Sequence, residues 1–390
     1  MSLGNPAFDA FKLSDEHSEL RAVLRNLCEK EIAPYAADVD EKVRYTDEAL
    51  AALTTSGFAA IHIPEEYGGQ GGDAVAGCIV IEEVARVCAS SSLIPICNKL
   101  GTMGLLLRGS EELKKQVLPS IAAGEAMASY ALSEREAGSD AASMRTRARR
   151  EGDEWVLNGA KCWISNGGHS TWYAVMAVTD PEKKARGGIT CFAVDLKSPG
   201  VLLERQWPTM MGEAPWQLLF EDVRVPANNV IGEIGGGFSI AQKWIGEGRI
   251  RGHGARPVGI ASRALDMMIE YSKVRTTFGK PLAERQAIQF MIADSAMEIH
   301  SARNMVYECA WRVDRGEDVR DLSYMVKVMA TEMASRVVDR AIQVHGGLGL
   351  MKELPLEWWY RQIRSTRITE GANEVLRWRL GQNLIRAHKG

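Results

Sequence analysis

The chain lacks every cysteine pattern that would indicate a disulfide framework or a zinc site. Its seven cysteines are scattered through 390 residues. No two of them form a Cys-x-x-Cys pair, and none has the spacing to another cysteine or a histidine that metal ligands usually show. We therefore expect no metal site, and reduced, mostly buried thiols at positions 28, 78, 88, 97, 162, 191 and 309.

An excess of charge is also missing, and so is any long hydrophobic run. The formal net charge is only -3, with acidic and basic residues interspersed, which argues against a nucleic-acid groove or a polybasic membrane patch. No apolar run approaches the roughly 20 residues of a membrane span, and the start of the chain has no targeting pattern. We expect a soluble protein of the cytoplasm, or of the mitochondrial matrix as a mature chain, without membrane insertion and without a nucleic-acid partner.

The chain divides into three regions that differ in their pattern of apolar and turn-forming residues. A helical pattern with apolar residues at Leu20, Leu24 and Leu27 begins after the possible cap Ser14. Residues 153–240 contain short β-type runs separated by turn pairs, including further strands near 190–195, 201–205 and 218–225. The pair Asn158-Gly159 predicts a hairpin turn, because both central residues of a type I′ turn need positive φ.

From about Phe238 the pattern is helical again. Apolar residues alternate spacings of three and four from Ile288 to Val313 and from Leu322 to Val344, as in a long antiparallel bundle. Helices of this length exceed what one small domain needs, so part of their surface could pack on another subunit. The fold class expected is a multidomain α+β protein with an N-terminal helical domain (1–129), a middle antiparallel β domain (130–240) and a C-terminal domain like a four-helix bundle (241–390).

One carboxylate, Glu370, lies beside Gly371 just before a helical repeat at Leu376, Leu380 and Leu384. Taken alone, a glutamate at a helix entrance is usually a cap or a first-turn acid favoured by the helix dipole. A functional role therefore depends on what other residues surround it.

Six separate stretches point in one direction when they are taken together. They are Pro64-Glu-Glu-Tyr-Gly-Gly69, Leu132-Ser-Glu-x-x-Ala-Gly-Ser-Asp140, Lys161-x-Trp-Ile-Ser-Asn-Gly-Gly168, Phe220-Glu-Asp-Val-Arg-Val-Pro226, Arg275-x-x-Phe-Gly279 with Gln286, and Gln343-x-x-Gly-Gly-x-Gly349. In this order and spacing, the chain resembles the acyl-CoA dehydrogenase family of flavoproteins along nearly its whole length.

The resemblance implies an FAD-dependent α,β-dehydrogenation of an acyl-CoA thioester. This reaction needs a base for the α-proton and a hydride acceptor, which is flavin N5 in the family. Glu370 stands in the position of the family's base, and we expect desolvation to raise its pKa toward neutrality. Its backbone N–H would hydrogen-bond the thioester oxygen. Glu247 is the alternative base, since some members carry the carboxylate near that place.

The resemblance also implies a set of cofactor-binding residues. In the β domain, Leu132 and Ser133 match the pair at the pyrimidine edge of the flavin, and Trp163 and Ser165 match residues beside its ring. Further matches hold the pyrophosphate and adenine across a dimer interface, or return to the cofactor in the loop after the base. These are Arg275, Phe278, Gln286, Gln343, Gly346, Gly347, Ala372 and Glu374.

For the acyl-CoA substrate, the resemblance implies contacts from Ser139 and Arg249. The interval from Arg249 to Gly259 is one residue longer than is usual in the family. Two other departures are Arg135-Glu136 in place of a Pro-Gly turn, and Thr369 where many members have an aromatic residue. A changed pocket wall is implied, without a choice among straight, branched, cyclic or polar acyl groups.

The expected partners are an acyl-CoA, an electron-transferring flavoprotein and further copies of the chain, as a dimer or a dimer of dimers. Two alternatives stay open at this point. A flavin oxidase or monooxygenase on the same scaffold would react with oxygen. A non-catalytic scaffold would bind flavin or CoA without turnover, although such a protein would be expected to lose the Glu370 carboxylate.

Overall fold

The computed structural model describes residues 13–211 and 214–388. The start of the chain, where no targeting pattern was found, lies outside these residues. Contacts divide the chain into two compact units. We call Met1–Ala49, Asp73–Ser92 and Arg249–Gly390 the bundle unit, and Leu50–Gly72 and Leu93–Gly248 the sheet unit.

The helices and strands follow the predicted order of helices, sheet and helices. The α-helices are α1 (Asp15–Leu27), α2 (Ala36–Lys42), α3 (Asp47–Thr55), α4 (Ala74–Val87), α5 (Leu93–Arg108), α6 (Glu111–Ala122), α7 (Gly237–Arg249), α8 (Arg256–Val274), α9 (Gln286–Asp314), α10 (Arg320–His345), α11 (Leu356–Thr366) and α12 (Asn373–Ala387). The strands are β1 (Ala128–Ala131), β2 (Arg147–Glu151), β3 (Glu154–Ile164), β4 (Trp172–Val178), β5 (Ile189–Asp195), β6 (Val201–Gln206), β7 (Trp216–Pro226), β8 (Val230–Ile231), β9 (Thr276–Thr277) and β10 (Lys280–Pro281).

The predicted fold class is confirmed, whereas the domain limits at residues 129 and 240 stay a prediction. Ser14 caps α1, since its hydroxyl accepts a hydrogen bond from the His17 N–H at 3.1 Å. All seven cysteines are free and buried, as expected. Among the described residues, no helix is long and apolar enough to cross a membrane.

In the bundle unit, the predicted apolar seams form the buried faces of α9 and α10. Ile299, Val306 and Cys309 are at most 3% exposed on α9, and Met333 and Val337 are at most 1% exposed on α10. A helix buries one stripe because residues three and four apart share a face, so these spacings correctly indicated which side faces the core.

A buried ion-pair network joins three helices of the same unit. Glu82 of α4 is 3% exposed and accepts hydrogen bonds from Arg303 of α9 at 2.8 Å and from the Tyr307 hydroxyl at 2.7 Å. Arg21 of α1 pairs with the same carboxylate at 3.4 Å. Burial alone would raise the pKa of Glu82, but Arg303 and Arg21 lower it to about 2, so this carboxylate is ionised at neutral pH.

The sheet unit contains an eight-stranded sheet in the order β6-β7-β3-β2-β4-β5-β8, with β1 also paired to β4. Most neighbours are antiparallel, as predicted, but β1 and β2 both pair with β4 in parallel. Successive residues of β4 enter two different cores because strand side chains alternate. Tyr173 and Val175 pack in the cluster formed by β-strand residues, whereas Ala174 and Met176 pack in the cluster that contains Trp244 of α7.

The hairpin predicted at Asn158-Gly159 is wrong, because β3 runs straight through both residues. Their pairing with β7 shifts register between Leu157 and Gly159. The Asn158 side chain exchanges two hydrogen bonds, at 2.9 and 3.0 Å, with Asp222 of β7. Gly159 has φ 146°, and a Cβ there would lie 2.7 Å from the Thr146 Cα. The extra residue of this β-bulge lies on β7, where Asp222 has φ 47°. Asn-Gly therefore lies opposite a bulge and allows the close approach of two strands instead of forming a turn.

A buried ion pair ties β3 to the loop that follows β1. Lys161 is fully buried, and its Nζ donates to Glu134 Oε1 at 2.8 Å and to the Leu132 carbonyl at 3.0 Å. Glu134 also accepts hydrogen bonds from the Arg145 and Thr146 N–H groups, at 2.6 and 3.0 Å. Burial lowers the pKa of Lys161 to about 8 although Glu134 acts to raise it.

Lys161→Met should lower the free energy of unfolding by about 3–5 kcal/mol, because Glu134 stays buried without its cation. Thermal and denaturant unfolding measure this loss. The control is Lys183→Met, since Lys183 is 64% exposed in its pair with Asp180 and should contribute no more than about 1 kcal/mol. Equal effects of the two substitutions would contradict the assigned importance of the buried pair.

Candidate active site

Glu370 has a left-handed backbone in the short connection between α11 and α12. Its φ is 52°, and Gly371 follows with φ 96°. The left-handed region is costly for a residue with a Cβ, so such a conformation persists only where the surroundings hold it. A Cβ added to Gly371 would lie 3.3 Å from Leu376 and 3.5 Å from the Arg249 guanidinium. Glycine is required here by its conformation, and the space around it is only slightly tight.

Two cations of the bundle unit hold successive carbonyl groups of this connection. Arg249 Nε donates to the Glu370 carbonyl at 2.8 Å. Lys327 of α10 is fully buried, and its Nζ donates to the Gly371 carbonyl at 2.8 Å and to Asn373 Oδ1 at 2.7 Å. These bonds fix the peptide planes on either side of Gly371 and thereby the direction in which the Glu370 side chain leaves the chain.

The Glu370 carboxylate is largely buried and incompletely partnered. Its side chain is 17% exposed, and Oε2 lies 3.5 Å from His253 Nδ1, too far for a good hydrogen bond. None of the described residues donates a hydrogen bond to Oε2, and none accepts one from the Glu370 N–H. Since buried polar groups are almost always satisfied, one oxygen and one N–H are suited to contact a ligand.

The expected rise of the Glu370 pKa toward neutrality is wrong. Burial acts to raise this pKa, but the charge of His253 in its protonated form, together with the charges of Arg249 and Lys327, lowers it below its usual value. The carboxylate is therefore ionised at neutral pH, which is the state a general base needs. Arg249 is further held by Tyr324 of α10, whose ring centroid lies 5.3 Å from the guanidinium carbon.

A π-helical turn, Ile250–Ala255, joins α7 to α8 and carries His253. The N–H of Arg256 donates to the carbonyl of Arg251, five residues earlier. A π turn absorbs one extra residue within a continuing helix, which accounts for the longer interval between Arg249 and Gly259. Gly254 makes the turn fit, since a Cβ there would lie 2.8 Å from Val326 and 2.9 Å from Val306.

In the sheet unit, a second β-bulge turns Trp163 outward. The pairing of β3 with β7 gains a residue between Lys161 and Ile164, and Trp163 has φ 60°. In a regular strand Trp163 would share a face with Lys161, which is fully buried, whereas the Trp163 side chain is 47% exposed. Bulges commonly re-aim a side chain beside an active site, so Trp163 presents an aromatic surface where a regular strand would have buried it.

The structure brings the other predicted flavin residues of the sheet unit close to this bulge. The Cys162 N–H donates to the Ser133 carbonyl at 2.9 Å, and Lys161 binds the Leu132 carbonyl. The Ser129 hydroxyl donates to the Ser165 carbonyl at 2.8 Å. Ser139 lies exposed in the following loop. That loop closes without the Pro-Gly turn, because Glu134 and Ala137 form an isolated antiparallel bridge.

In the bundle unit, the hairpin of β9 and β10 displays Phe278. Phe278 and Gly279 form its two-residue turn, with φ 48° and 75°, as in a type I′ turn. The Phe278 side chain is 99% exposed, although glycine or asparagine would occupy its position at a lower conformational cost. Arg275 is exposed at the start of this hairpin, where its carbonyl accepts a hydrogen bond from the Leu282 N–H at 2.8 Å.

The remaining predicted cofactor residues are exposed or half-buried at helix ends of the bundle unit. Gly346 ends α10 with φ 61°, and a Cβ on Gly346 or Gly347 would meet nothing within 4 Å. This leaves the backbone open to a close approach. The other members of the set are Gln286 at the start of α9, Gln343 in the last turn of α10, and Ala372 and Glu374 at the start of α12.

Comparisons with known proteins cover nearly the whole chain. Models of the N-terminal, middle and C-terminal domains of acyl-CoA dehydrogenase match residues 14–125, 129–223 and 235–385. The Mycobacterium tuberculosis protein named "Probable acyl-CoA dehydrogenase FadE25" is 55% identical over 387 residues, covering 98% of this chain and 99% of its own. The chain belongs to the acyl-CoA dehydrogenase family.

Two solved structures are similar throughout. Butyryl-CoA dehydrogenase of Megasphaera elsdenii has a TM-score of 0.93 and 34% identity, covering 96% of this chain and 99% of its own. A chain from a structure described as "Electron transferring flavoprotein of Acidaminococcus fermentans" has a TM-score of 0.94 and 33% identity, with the same coverages. This family member is thus an FAD-dependent oxidoreductase, as predicted.

Each unit by itself has features that suit part of a flavin cofactor. In the sheet unit, Trp163 combines a left-handed backbone with an exposed aromatic ring, and strain of this kind concentrates at ligand sites. In the bundle unit, Phe278 has the same two features, and the open backbone at Gly346 and Gly347 suits a pyrophosphate.

Sequence reasoning missed Lys327 and His253. Lys327 belongs to a fully buried polar stripe with Ser323 and Thr331, four residues to either side on α10. That spacing on an otherwise apolar face was a usable signal. For His253 the sequence offered only the extra residue before Gly259. The direction of the imidazole depends on the π turn, and the sequence did not predict that turn.

Lys327 makes the stability of the chain depend on pH. Burial lowers its pKa to about 7, against about 10.4 in an unfolded chain. Between these values the unfolded state holds more protons, so stability rises with pH. The free energy of unfolding of the wild type relative to Lys327→Met should therefore increase from about pH 7 to about pH 10.

Denaturant unfolding at a series of pH values measures this difference. Lys243→Met, on the exposed side of α7, is the control. The difference in the free energy of unfolding between the wild type and Lys243→Met should not change with pH. A difference between wild type and Lys327→Met that does not change with pH would contradict the prediction.

Proposed function

We propose that this chain dehydrogenates an acyl-CoA thioester between Cα and Cβ, with Glu370 as the base. The observation that carries the proposal is the Glu370 connection itself. It combines an ionised, mostly buried carboxylate with an oxygen and an N–H that no described residue satisfies.

Each step assigned to the chain follows from this geometry. The Glu370 carboxylate takes the α-proton, and its N–H donates to the thioester oxygen as negative charge develops there. Arg249 and Lys327 keep both groups oriented through their bonds to the adjacent carbonyls. Bound FAD supplies the acceptor for the β-hydride at N5. The electrons would pass to an electron-transferring flavoprotein. This partner is consistent with the family and with the structural relative from Acidaminococcus fermentans that is described as an electron transferring flavoprotein.

For the cofactor, we propose that the sheet unit holds the flavin ring through Leu132, Ser133, Trp163 and Ser165. The carbonyls of Leu132, Ser133 and Ser165 already accept hydrogen bonds from the chain. These residues would therefore contact the flavin ring as donors, through their N–H and O–H groups. The pyrophosphate and adenine are assigned to the second set, Arg275, Phe278, Gln286, Gln343, Gly346, Gly347, Ala372 and Glu374.

For the substrate, Ser139 and Arg249 stay proposed contacts with the acyl-CoA. Arg249 uses its Nε on the Glu370 carbonyl, so only its other guanidinium nitrogens would reach a ligand. Anaerobic mixing with short straight, branched and cyclic acyl-CoA thioesters, followed by flavin absorbance, identifies the acyl class. Rapid peroxide formation in air would favour the oxidase alternative instead.

We also propose a homo-oligomer, a dimer or a dimer of dimers. Large apolar side chains that are at least 45% exposed lie on the last helices of the bundle unit: Phe290, Met297, Trp311, Met329, Trp378 and Ile385. Exposed apolar surface of this kind often packs against another subunit. A subunit interface would also bring cofactor contacts from two copies together, as the family resemblance implies.

Glu370→Gln should keep FAD and acyl-CoA binding but reduce the rate of anaerobic flavin bleaching by about 10²–10⁴-fold, because the amide cannot accept the proton. Stopped-flow absorbance measures the rate, and ligand titration measures binding. Glu247→Gln is the matched control and should stay near the wild-type rate. A reversal of these two outcomes would move the base to Glu247.

Arg275→Ala should weaken FAD retention, because a guanidinium can donate two hydrogen bonds to a pyrophosphate. It should also lower the melting temperature of the FAD-loaded assembly, since a ligand stabilises the state that binds it. Equilibrium dialysis and thermal unfolding measure the two effects. Lys273→Ala, an exposed cation two residues earlier, should change neither, and unchanged FAD affinity in Arg275→Ala would remove the assignment.

A further inference from the structure

We propose that His253 is a positioning residue that titrates together with the Glu370 carboxylate. As an imidazolium it would keep this base ionised to lower pH. The inference rests on the proposed role of Glu370 and adds a second group to it. All the groups involved lie in the bundle unit.

The position of His253 is set by the π turn. Arg249 and His253 are four residues apart on the same stretch of helix, and they reach opposite ends of the same residue. Arg249 binds the Glu370 carbonyl at 2.8 Å, and His253 Nδ1 lies 3.5 Å from Glu370 Oε2. The imidazole is 8% exposed, so it faces the carboxylate without competition from bulk water.

The contacts of the two ring nitrogens favour one tautomer. His253 Nε2 lies 2.7 Å from the Thr369 hydroxyl oxygen, and this hydroxyl can donate its proton to Nε2. Nδ1 then carries the ring proton and directs it at the ionised Glu370 carboxylate, whereas a lone pair at Nδ1 would face a negative charge. A proton added to the ring binds Nε2, and the Thr369 hydroxyl can then accept from Nε2–H and donate to the Ser365 carbonyl at 3.4 Å.

The charges around His253 come from three elements. Glu370 faces it from the connection before α12, Lys327 from α10, and Arg256 from its own helix. Burial is the largest influence and lowers the His253 pKa, with Lys327 and Arg256 acting in the same direction and Glu370 opposing them. His253 is therefore a neutral proton acceptor at neutral pH.

These facts define how protons distribute between the two groups. When one proton is added to neutral His253 and ionised Glu370, it can lie on Nε2 and leave the carboxylate free as a base. The imidazolium then directs Nδ1–H and its positive charge at the carboxylate, and only a second proton neutralises Glu370.

A purely structural role for His253 would be redundant with other contacts. The backbone of the Glu370 connection is already held by Arg249 and Lys327, and Asn373 adds bonds to Thr331 at 3.2 Å and Glu332 at 3.1 Å. What His253 alone supplies is a titratable ring beside Oε2.

The first test is the pH dependence of flavin bleaching in the FAD-loaded enzyme under limiting acyl-CoA, which reports the ionisation of the free enzyme. In His253→Asn, the acid limb of the profile should move up by about 1 pH unit or more, while the rate above pH 9 falls less than about threefold. His300→Asn on the exposed side of α9 is the control and should leave the profile in place.

An acid limb that stays within about 0.3 pH units in His253→Asn, or a loss of rate that is the same at every pH, would overturn the inference. If the Asn variant does not fold, His253→Gln, whose amide nitrogen can still reach Thr369, is measured with the same criteria. Glu370→Gln is not used here, because it would stop the reaction whether or not His253 takes part.

The second test needs no turnover and therefore separates this inference from the proposed function. The seven histidines are labelled with ¹⁵N, and the His253 signal is identified by its loss in His253→Asn. Its titration midpoint should fall by about 1 pH unit or more when Glu370 is replaced by Gln, because the carboxylate favours the imidazolium. If the His253 midpoint is the same in Glu370→Gln and in the wild type, the proposed coupling of His253 and Glu370 is wrong, even if the wild type shows normal flavin bleaching. If the midpoint shifts but acyl-CoA does not bleach the flavin, only the dehydrogenase assignment is wrong.

Discussion

The candidate active site depends on two buried cations that hold two successive carbonyl groups. Arg249 and Lys327 come from different helices and bind the Glu370 and Gly371 carbonyls. Burying an ammonium group is unfavourable, as the lowered pKa of Lys327 indicates. That cost is offset here by hydrogen bonds to a backbone segment that cannot be part of a helix, so the cations determine where the carboxylate points and also supply its positive surroundings.

Departures from regular secondary structure carry side chains to which a role is proposed. A π turn carries His253, a β-bulge carries Trp163, and a two-residue hairpin turn carries Phe278. In each case one residue is added to, or turned within, an otherwise regular element, and a side chain is re-aimed with only a local disruption of the hydrogen-bond pattern. A regular strand would have placed Trp163 on the same face as buried Lys161, and a left-handed phenylalanine would have no reason to persist.

The positive surroundings of Glu370 change how its basicity is understood. A desolvated carboxylate alone would have a raised pKa and would be a stronger base but partly protonated. The charges of Arg249 and Lys327, and of His253 when it is protonated, lower the pKa and favour the ionised carboxylate. In the proposed reaction the barrier would then be reduced on the substrate side, where the Glu370 N–H would stabilise the developing negative charge. Ionisation and orientation, rather than intrinsic base strength, are what the surroundings of Glu370 provide.

Local sequence patterns were sufficient for the long elements. The helical seams from Ile288 to Val313 and from Leu322 to Val344, and the strands near 190–195 and 218–225, follow from periodicity, because burial of one face requires a regular spacing of apolar residues. Asn158-Gly159 was misread because this pair can also lie within a strand, where Asn158 bonds the bulged Asp222 of β7 and Gly159 allows a close approach of Thr146. Local sequence alone does not distinguish this arrangement from a turn.

The sequence by itself determined the order of the elements, the apolar faces and, through its motifs, the family, and it singled out Glu370 as the proposed base. The tertiary structure decided the environment of that carboxylate. Residues 249, 253, 327 and 370 are far apart in the chain, and neither the cations that lower the Glu370 pKa nor the imidazole beside it can be inferred from local spacing. Electrostatic interactions depend on distance and burial, and only packing of the helices sets both.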